Sequence, residues 1–335
     1  MSYFILIFAC ALVLSLALTP LARKVGIKTG IINTPSSERL NMAATPLLGG
    51  AAIYLSFLIA LIIFRSEFRI DQCFGIFTGA TLVSFFGLYD DWRELNPALK
   101  FGGQLIPLFV LVSTGVKVEI FESEFINILI TGLWVIGITN SINLLDNMDG
   151  IAGGVASIAS LSFLVLAIMN GQYLVGSLAA AMLGACLGFL RYNLNPARIF
   201  MGDTGSMFIG FLLASVGIKL RFPGLAVENT WMIPVVILSF PIFDTTLVTI
   251  SRAKKGLNPF TTPGKDHSTH RLCLLGLSHK KVAYVVYLIS LLFGALGVLI
   301  FYFPGITGYM VFAATILIGI IGVVFMERLY EGKRN

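Results

Sequence analysis

The sequence predicts an all-α integral membrane protein that crosses the bilayer many times. Hydrophobic residues make up 57% of the 335 residues and charged residues only 12%, whereas soluble globular proteins carry about 25% charged residues. The charges fall between long apolar runs, and separate apolar runs of this length cross a bilayer as helices. We therefore expect a single polytopic helical bundle over residues 1–335, with about ten or eleven transmembrane helices.

Eleven apolar runs approach the roughly 20 residues that a helix needs to cross the hydrocarbon core. The first lacks a basic n-region and a small-residue cleavage site, so it is interpreted as a retained span. Short runs between residues 101 and 220 are expected to tilt, break or re-enter the membrane. The runs are 2–21, 46–64, 73–89, 101–116, 126–144, 151–169, 174–190, 206–220, 230–250, 282–302 and 308–326.

Lysine and arginine residues are divided unevenly between the two sides of the predicted membrane. The loops after odd-numbered runs, with the C-terminal tail, hold 18 of the 23 basic residues. Loops rich in Lys and Arg stay in the cytoplasm. We therefore expect an outside N-terminus, a cytoplasmic C-terminus, and a multi-pass protein of the inner (cytoplasmic) membrane. The same distribution explains the net charge of +6 and argues against nucleic acid as a partner.

Four of the predicted cytoplasmic loops carry compact polar motifs, near residues 90–100, 145–150, 191–205 and 251–281. In the first loop, Asp90 and Asp91 repel each other unless a cation or ligand lies between them. In the third, Asp203 stands where a helix is expected to begin, and the N–H groups of a helix N-terminus bind phosphate. The alternative interpretations are a solvated acidic loop and a helix cap with a turn.

The second loop contains a ladder of amides and acids that begins inside an apolar run. If this segment stays helical, Asn143, Asp146 and Asp149 recur at three-residue steps and share one face. Carboxylates at the edge of a membrane are costly and usually mark a functional site. The alternative is that Asp149 caps the next helix, which would explain one acid and not the remaining acid and amides.

The fourth loop combines several cations with two histidines, His267 and His270. Their spacing could bind zinc, but neither Cys273 nor His279 stands at a standard ligand spacing. An anionic, phosphorylated substrate matches the loop better. Asp244, in the ninth run, is expected to have a structural partner.

Together, the four loops predict Mg²⁺-dependent chemistry on a phosphate at one face of the membrane. Their acids could converge only if a metal ion or protons offset the repulsion, and Mg²⁺ prefers carboxylate and phosphate oxygens. One substrate should be water-soluble, and the other should arrive through the bilayer. The acids are Asp90, Asp91, Asp146, Asp149 and Asp203.

These motifs, in this order, resemble those of the polyprenyl-phosphate N-acetylhexosamine-1-phosphate transferases of glycosyltransferase family 4. The resemblance implies an integral membrane enzyme that transfers a sugar 1-phosphate from a UDP-sugar to a polyprenyl phosphate and releases UMP. It extends from Thr45-Pro46-Leu47-Leu48-Gly49-Gly50 to Leu277. The matching residues are Asp90-Asp91 with Pro97 and Lys100, Asn143 to Gly150, Asn193 to Ser206, and His267-x-x-His270-Arg271-Leu272.

The resemblance also implies a role for each motif. Asp203 is expected to be the principal ligand of Mg²⁺, or of Mn²⁺ in its place, with Asn143 as the second. Asp90 and Asp91 are expected at the reacting phosphate, one as a candidate base, and Lys100 is expected to neutralise the lipid phosphate. His267 and His270 join them as catalytic residues. The expected substrate-binding residues are Asn140, Asp146, Asp149 and Asn193.

Two positions depart from the family pattern. Asn147 follows Asp146 where the family usually has glycine, and Thr269 precedes His270 where another histidine is common. The Arg-Leu pair after His270 resembles the branch that uses UDP-GlcNAc or a related UDP-N-acetyl sugar. The other branch acts on UDP-MurNAc-pentapeptide in peptidoglycan synthesis.

The expected partners are therefore a UDP-N-acetyl sugar, undecaprenyl phosphate and membrane lipid, and a homodimer is left open. The reaction would be the first membrane step of a cell-envelope glycan pathway. A transporter or flippase of a lipid-linked sugar is the alternative from another class, although transporters often have paired halves that this sequence lacks. An inactive scaffold would have no need for five clustered acids.

Overall fold

The computed structural model describes residues 2–33, 44–65, 73–93, 95–259, 262 and 264–332. It confirms an all-α polytopic bundle that is 79% helical. The strands among the described residues form one short antiparallel pair, β1 (Ile32–Asn33) and β2 (Thr45–Pro46). Small parts of two motif loops, residue 94 and residues 260, 261 and 263, lie outside the described residues.

All eleven predicted apolar runs are helical in the structure. Ten correspond to one helix each, the ninth forms α9 and α10, and α11 is a short helix in the last large loop. The helices are α1 (Ser2–Thr29), α2 (Gly49–Ile63), α3 (Phe74–Arg93), α4 (Pro97–Ser113), α5 (Glu124–Leu145), α6 (Ile151–Met169), α7 (Tyr173–Asn193), α8 (Gly202–Lys219), α9 (Met232–Ile237), α10 (Ser239–Lys254), α11 (Ser268–Leu274), α12 (His279–Tyr302) and α13 (Ile306–Gly332).

Six helices in the described ranges are long and apolar enough to cross a membrane, or seven if α9 and α10 form one bent span. The predicted count of ten or eleven is reached only with the shorter or less apolar helices α2, α3, α4 and α8. Helices α3 and α8 carry the acids Asp90, Asp91 and Asp203 at one end, which lowers their hydropathy. Protein surrounds α8, since every residue in it except Asp203 and Lys219 is buried.

The ninth run contains the sharpest break in the bundle. Its two helices, preceded by a short 3-10 turn at Val227–Asn229, meet at a bend of 69°. Pro241 stands in the first turn of α10, where its missing N–H needs no partner. Breaks were expected between residues 101 and 220, so the location of the break differs from the prediction.

The centre of the bundle is formed by α6 and α7. In an apolar stretch of 18 residues, α6 is 78% buried and α7 is 83% buried, whereas the corresponding stretch of α13 is 6% buried. Helix α1 packs on α7, since Ser15 donates a hydrogen bond to the carbonyl of Ala185 at 2.7 Å. Tyr192 donates to the carbonyl of Leu16 at 3.0 Å. The first run is therefore an integral part of the bundle.

The loops divide between two ends of the bundle in the way the run count predicts. At one end, Arg221 pairs with Glu119 at 2.7 Å, and its backbone N–H donates to Gln172 at 2.9 Å. Tyr309 donates to the carbonyl of Glu228 at 2.8 Å at the same end. The four polar motif loops meet at the other end. Which end faces the cytosol stays a prediction.

Candidate active site

Asp90, at the end of α3, and Lys100, in the first turns of α4, face each other. Asp90 is buried in the last turn of α3, and its Oδ2 lies 2.9 Å from Lys100 Nζ. Its Oδ1 accepts the backbone N–H of Leu95 at 2.7 Å. Asn96 caps α4 by accepting the N–H of Leu99 at 2.9 Å. The local sequence thus stops one helix and starts the next, and this holds the two charges together.

Asp203 is the residue at which three of the predicted motifs meet. Its Oδ2 pairs with Lys100 Nζ, and its Oδ1 accepts a hydrogen bond from Asn143 Nδ2 at 2.7 Å. The same nitrogen of Asn143 donates to Ser206 Oγ at 2.8 Å. The structure therefore brings Asp90, Lys100, Asn143 and Asp203 into one cluster, which we call the Asp203 cluster. Ser206 was expected as part of the third motif and had no role of its own assigned from the sequence.

Asp91 points to a different part of the site from Asp90. Its Oδ1 accepts the backbone N–H of Asp203 at 2.7 Å. Its Oδ2 accepts the backbone N–H and the hydroxyl of Thr204, at 3.0 and 2.6 Å. The N–H groups in the first turn of a helix have no partner within the helix, so Asp91 caps α8 from a neighbouring helix. The N–H groups that the sequence offered as a phosphate site are already used at these two residues.

Two glycines allow other helices to reach the backbone of the first turn of α8. A Cβ atom on Gly50 would lie 2.1 Å from the nitrogen of Gly205, and one on Gly87 would lie 2.5 Å from the carbonyl oxygen of Asp203. Only glycine permits such close backbone contact. No role was assigned to the Thr45–Gly50 motif from the sequence. The structure shows that it supports α8 and so positions Asp203.

The ladder of amides and acids does not form one continuous helical face. Helix α5 ends at Leu145, Asp146 is its C-cap, and Asp149 lies in the following turn. Asp149 Oδ2 accepts hydrogen bonds from Asn195 Nδ2 at 3.0 Å and from the N–H of Ala197 at 2.9 Å. Helix α6 begins without a side-chain cap. The segment is not continuously helical, so the single face expected of a helix does not form, and the residue at the N-cap of α6 is Gly150 rather than Asp149.

Two of the predicted substrate-binding amides are engaged with the protein itself. Asn140 and Gln104 exchange hydrogen bonds of 2.7 and 3.2 Å, which link α5 to α4. Asn193 is buried, accepts the N–H of Gly150 at 3.0 Å and donates to the carbonyl of Ile199 at 2.9 Å. The structure gives both residues a bracing role. Their contact with a substrate stays a prediction, as does that of Asp146.

His267 and His270 lie at the start of α11, with ring centroids 5.8 Å apart. His267 Nδ1 is 2.8 Å from Asp244 Oδ2, and both residues are buried. Asp244 also accepts the backbone N–H and the hydroxyl of Ser268, at 2.7 and 2.6 Å. Asp244 therefore has a structural partner, as expected, and that partner is one of the predicted catalytic histidines.

The next turn of α11 is tied to the last helix by Arg271, which the sequence named only as part of the histidine motif, and by Glu327, which the sequence did not single out. Arg271 is fully buried and donates to Glu327 Oε1 at 2.7 Å and to the carbonyl of Asp266 at 2.7 Å. Arg252 holds Asp266 with two hydrogen bonds of 2.8 and 2.9 Å. Burial alone would raise the pKa of Asp266, but the hydrogen bonds and charge of Arg252 hold it below its usual value. The available signal was Glu327, the first acid after the last apolar run.

His270 is kept neutral by its surroundings. Burial, helped by the charge of His267, lowers the pKa of His270 to about 4. Its buried Nδ1 has no hydrogen-bond partner in the described part of the chain. An unfolded chain has a histidine pKa of about 6.5, so the unfolded state takes up this proton first as the pH falls. Stability should therefore be lost as the pH drops from about 6.5 towards 4.

Lowering the pH from 7 to 5 should accordingly destabilise the protein by up to about 2 kcal/mol through His270 alone. The variant His270→Gln should lose less stability over the same pH interval, because it has no imidazole to protonate. The measurement is the midpoint of thermal unfolding in detergent at both pH values. His279→Gln, at the start of α12, is the matched control. Equal losses in the wild type and in His270→Gln would contradict the prediction.

The donor groups of the Asp203 cluster fit a hard divalent cation. Mg²⁺ is commonly held by one or two carboxylates together with substrate phosphates and water. Asp90 and Asp203 both contact the ammonium of Lys100, so one cation can attract both carboxylates. No group of three or more His, Cys, Asp or Glu suited to a metal occurs within the described ranges. In Mg²⁺ sites of this kind, substrate phosphates and water supply the remaining ligands.

Comparison with known proteins places these residues in a family. The profile of Glycosyl transferase family 4 matches residues 73–221, which contain the whole Asp203 cluster. A probable undecaprenyl-phosphate N-acetylglucosaminyl 1-phosphate transferase of Bacillus subtilis (strain 168) is 35% identical over 295 residues, covering 85% of this chain and 82% of that relative. The chain belongs to glycosyl transferase family 4. The family 4 profile ends before α11, so the histidines and Glu327 lie beyond it.

Two further relatives with more distant sequences carry related names. A decaprenyl-phosphate N-acetylglucosaminephosphotransferase of Mycolicibacterium smegmatis is 29% identical over 337 residues, covering 89% of this chain and 82% of the relative. A phospho-N-acetylmuramoyl-pentapeptide-transferase of Rubrobacter xylanophilus is 28% identical over 289 residues, covering 78% and 84%. Membership of family 4 makes this chain a multi-pass membrane enzyme that transfers a sugar phosphate.

Proposed function

We propose that this chain transfers N-acetylglucosamine 1-phosphate from UDP-GlcNAc to undecaprenyl phosphate, giving undecaprenyl-diphosphate-GlcNAc and UMP. The observation that carries the proposal is the Asp203 cluster. It places two carboxylates, an ammonium and an amide at one end of a membrane bundle, in a chain similar over most of its length to a relative with that named activity. The product would begin a cell-envelope glycan.

The choice of donor is supported by the order of the relatives. Those named for N-acetylglucosamine are 35% and 29% identical to this chain, over 85% and 89% of its length. The relative named for the muramoyl-pentapeptide donor is 28% identical over 78%. The Arg271-Leu272 pair after the histidines favours the same branch. Transfer from UDP-MurNAc-pentapeptide is therefore the second candidate.

The reaction is the attack of one phosphate on another. An oxygen of the lipid phosphate forms a bond to the sugar-bearing phosphorus, the bond from that phosphorus to the bridging oxygen breaks, and UMP leaves with the electron pair. A phosphomonoester has a second pKa of about 6, so the attacking phosphate is mostly ionised at pH 7. Lys100 neutralises its charge, and Asp90, beside Lys100, takes up the remaining proton when one is present.

Mg²⁺ belongs to the same proposal, with Mn²⁺ as a substitute. Asp203 would be its principal ligand, with Asn143 and Asp90 beside it. When bound, the ion offsets the charge of the pyrophosphate and of the leaving UMP. Lys100 and Asn143 fix the two oxygens of Asp203, and Asp91 holds the helix turn on which Asp203 stands.

The test is a screen of the purified protein in detergent with undecaprenyl phosphate, Mg²⁺ and several UDP-N-acetyl sugars, scored by release of UMP. UDP-GlcNAc should give UMP only when the lipid phosphate is present. Release from UDP-MurNAc-pentapeptide alone would support the second candidate. No UMP from any donor would overturn the proposal and favour a transporter of lipid-linked sugars, which shares the many spans without the transfer chemistry.

We also propose that the site faces the cytosol from the inner membrane, as the distribution of Lys and Arg indicates. Leu275, after α11, and Phe121, at the other end of the bundle, are each 47% exposed. In intact cells, an impermeant thiol label should reach Phe121→Cys and miss Leu275→Cys. The wild-type chain, with its four native cysteines, gives the background. Labelling of Leu275→Cys from outside would invert the orientation.

A further inference from the structure

The two positions at which the chain departs from the family pattern are hydrogen-bonded to each other. Thr269 Oγ1 donates to Asn147 Oδ1 at 2.6 Å, although 122 positions separate the two residues. Thr269 is completely buried, and Asn147 is half-buried. Asn147 Nδ2 donates to the carbonyl of Leu144 at 2.9 Å. Both ends of this amide are therefore engaged, which fixes its oxygen towards Thr269.

This hydrogen bond joins the ladder to the histidine helix α11. Asn147 lies between Asp146 and Asp149, and Thr269 lies between His267 and His270. Both segments also contribute to one buried apolar cluster, which includes Leu145, Met148 and Leu272. The polar link therefore lies beside shared apolar packing and joins two loops that both carry predicted site residues.

Other attachments of α11 lead away from the ladder. His267 and Ser268 bind Asp244 on α10. Arg271 binds Glu327 on α13. These contacts fix α11 to α10 and α13. The Asn147–Thr269 bond joins α11 directly to the ladder.

The threonine at position 269 depends on the asparagine at position 147. Glycine in place of Asn147 would supply no acceptor, and the hydroxyl of the fully buried Thr269 would lose the partner that the structure gives it. A buried polar group left unpaired costs more than a formed hydrogen bond gains. The pair therefore behaves as one structural unit in which asparagine supplies the acceptor and threonine the donor.

We propose that Asn147 and Thr269 form a latch that positions the histidine helix against the ladder and thereby sets the affinity for the UDP-sugar donor. The inference rests on the proposed function, because it names the donor as the ligand that senses this spacing. Both are positioning residues, and neither needs to touch the donor itself. Loss of the latch lets α11 and the ladder move apart, so the cost falls on donor binding before it falls on the transfer step.

The first test variant is Thr269→Val, which removes the hydroxyl with little change in volume. The KM for UDP-GlcNAc should rise about fivefold, the value of roughly one hydrogen bond, while kcat at saturating donor changes less than about twofold. Thr269→Ser keeps the hydroxyl and should restore the wild-type KM. Thr315→Val is the matched control, since Thr315 is also buried and donates to Val311 in its own helix at 2.9 Å. It should leave KM unchanged.

The second test closes a double-mutant cycle with Asn147→Gly, which removes the acceptor and does not depend on how valine is tolerated at position 269. The double variant Asn147→Gly/Thr269→Val should be no worse than the more affected single variant, because both remove one bond. Single effects that multiply, an unchanged KM, or a fall in kcat and thermal stability at constant KM would each overturn the latch. Absence of UMP from the wild-type chain would instead refute the proposed function.

Discussion

Asp203→Asn should lower the rate of UMP release by about 10³-fold, since the variant removes the charge at the centre of the active cluster. Asparagine has nearly the same shape as aspartate, so the loss reports chemistry rather than packing. The new amide would meet the ammonium of Lys100, which now pairs with Asp203 Oδ2, and it would be a poor ligand for a hard divalent cation. The measurement is kcat for UMP release by purified protein at saturating donor, lipid and Mg²⁺.

The control for Asp203→Asn is Glu122→Gln, an exposed acid at the other end of the bundle, which should keep wild-type activity. The thermal unfolding midpoint of both variants shows whether the bundle is intact. Near-full activity of Asp203→Asn in intact protein would contradict the proposal that Asp203 is the principal metal ligand. A Mg²⁺ titration separates weaker metal binding, which excess Mg²⁺ partly restores, from a loss that no concentration repairs.

The helices followed directly from the sequence, because an unpaired backbone cannot cross lipid. Every long apolar run had to become a helix, and each did. The bend between α9 and α10 could not be predicted from run length, since both halves are apolar and Pro241 is compatible with either a bent or a straight helix start. Apolar composition predicts which segments lie in the membrane. A bend within such a segment depends on which neighbouring helices pack against each half.

The sequence predicted that the motif loops would converge, but it did not predict which partner each residue of a motif would contact. In the ladder, three-residue spacing suggested one face, yet α5 ends at Leu145, and Asp149 binds Asn195 before α8 whereas Asn143 binds Asp203 in the first turn of α8. Helix ends are set by capping contacts and by distant partners. The partner of Asn147 lies 122 positions away, a separation at which local spacing carries no information about contact.

The different contacts of Asp90 and Asp91 were likewise not predictable from the sequence. Successive residues on a helix point about 100° apart, so two adjacent acids are directed towards different partners. Asp90 turns to Lys100, and Asp91 turns to the first turn of α8. From sequence the two carboxylates were equivalent candidates for the base. The docking of α8, made possible by the close approach at Gly87, is what separates their roles.

Asp90→Asn and Asp91→Asn should therefore fail in different ways. Asp90→Asn should lower kcat about 10²-fold with little change in thermal stability, because it removes a proton acceptor beside Lys100. Asp91→Asn should lower the unfolding midpoint, since it replaces an acceptor of three hydrogen bonds at a helix N-terminus, where losing a cap costs about 1–2 kcal/mol. Its activity should fall through a weaker hold on Mg²⁺ and recover in part at high Mg²⁺.

Both quantities are measured on the same preparations: kcat over a range of Mg²⁺ concentrations, and the unfolding midpoint in detergent. Thr204→Val, which removes one of the three hydrogen bonds to Asp91, should show a smaller effect in the same direction as Asp91→Asn. If Asp91→Asn instead matches Asp90→Asn, with an unchanged midpoint and a loss that Mg²⁺ does not restore, Asp91 acts at the reacting phosphate. The cap would then be incidental to catalysis, and the acid pair would work as one unit.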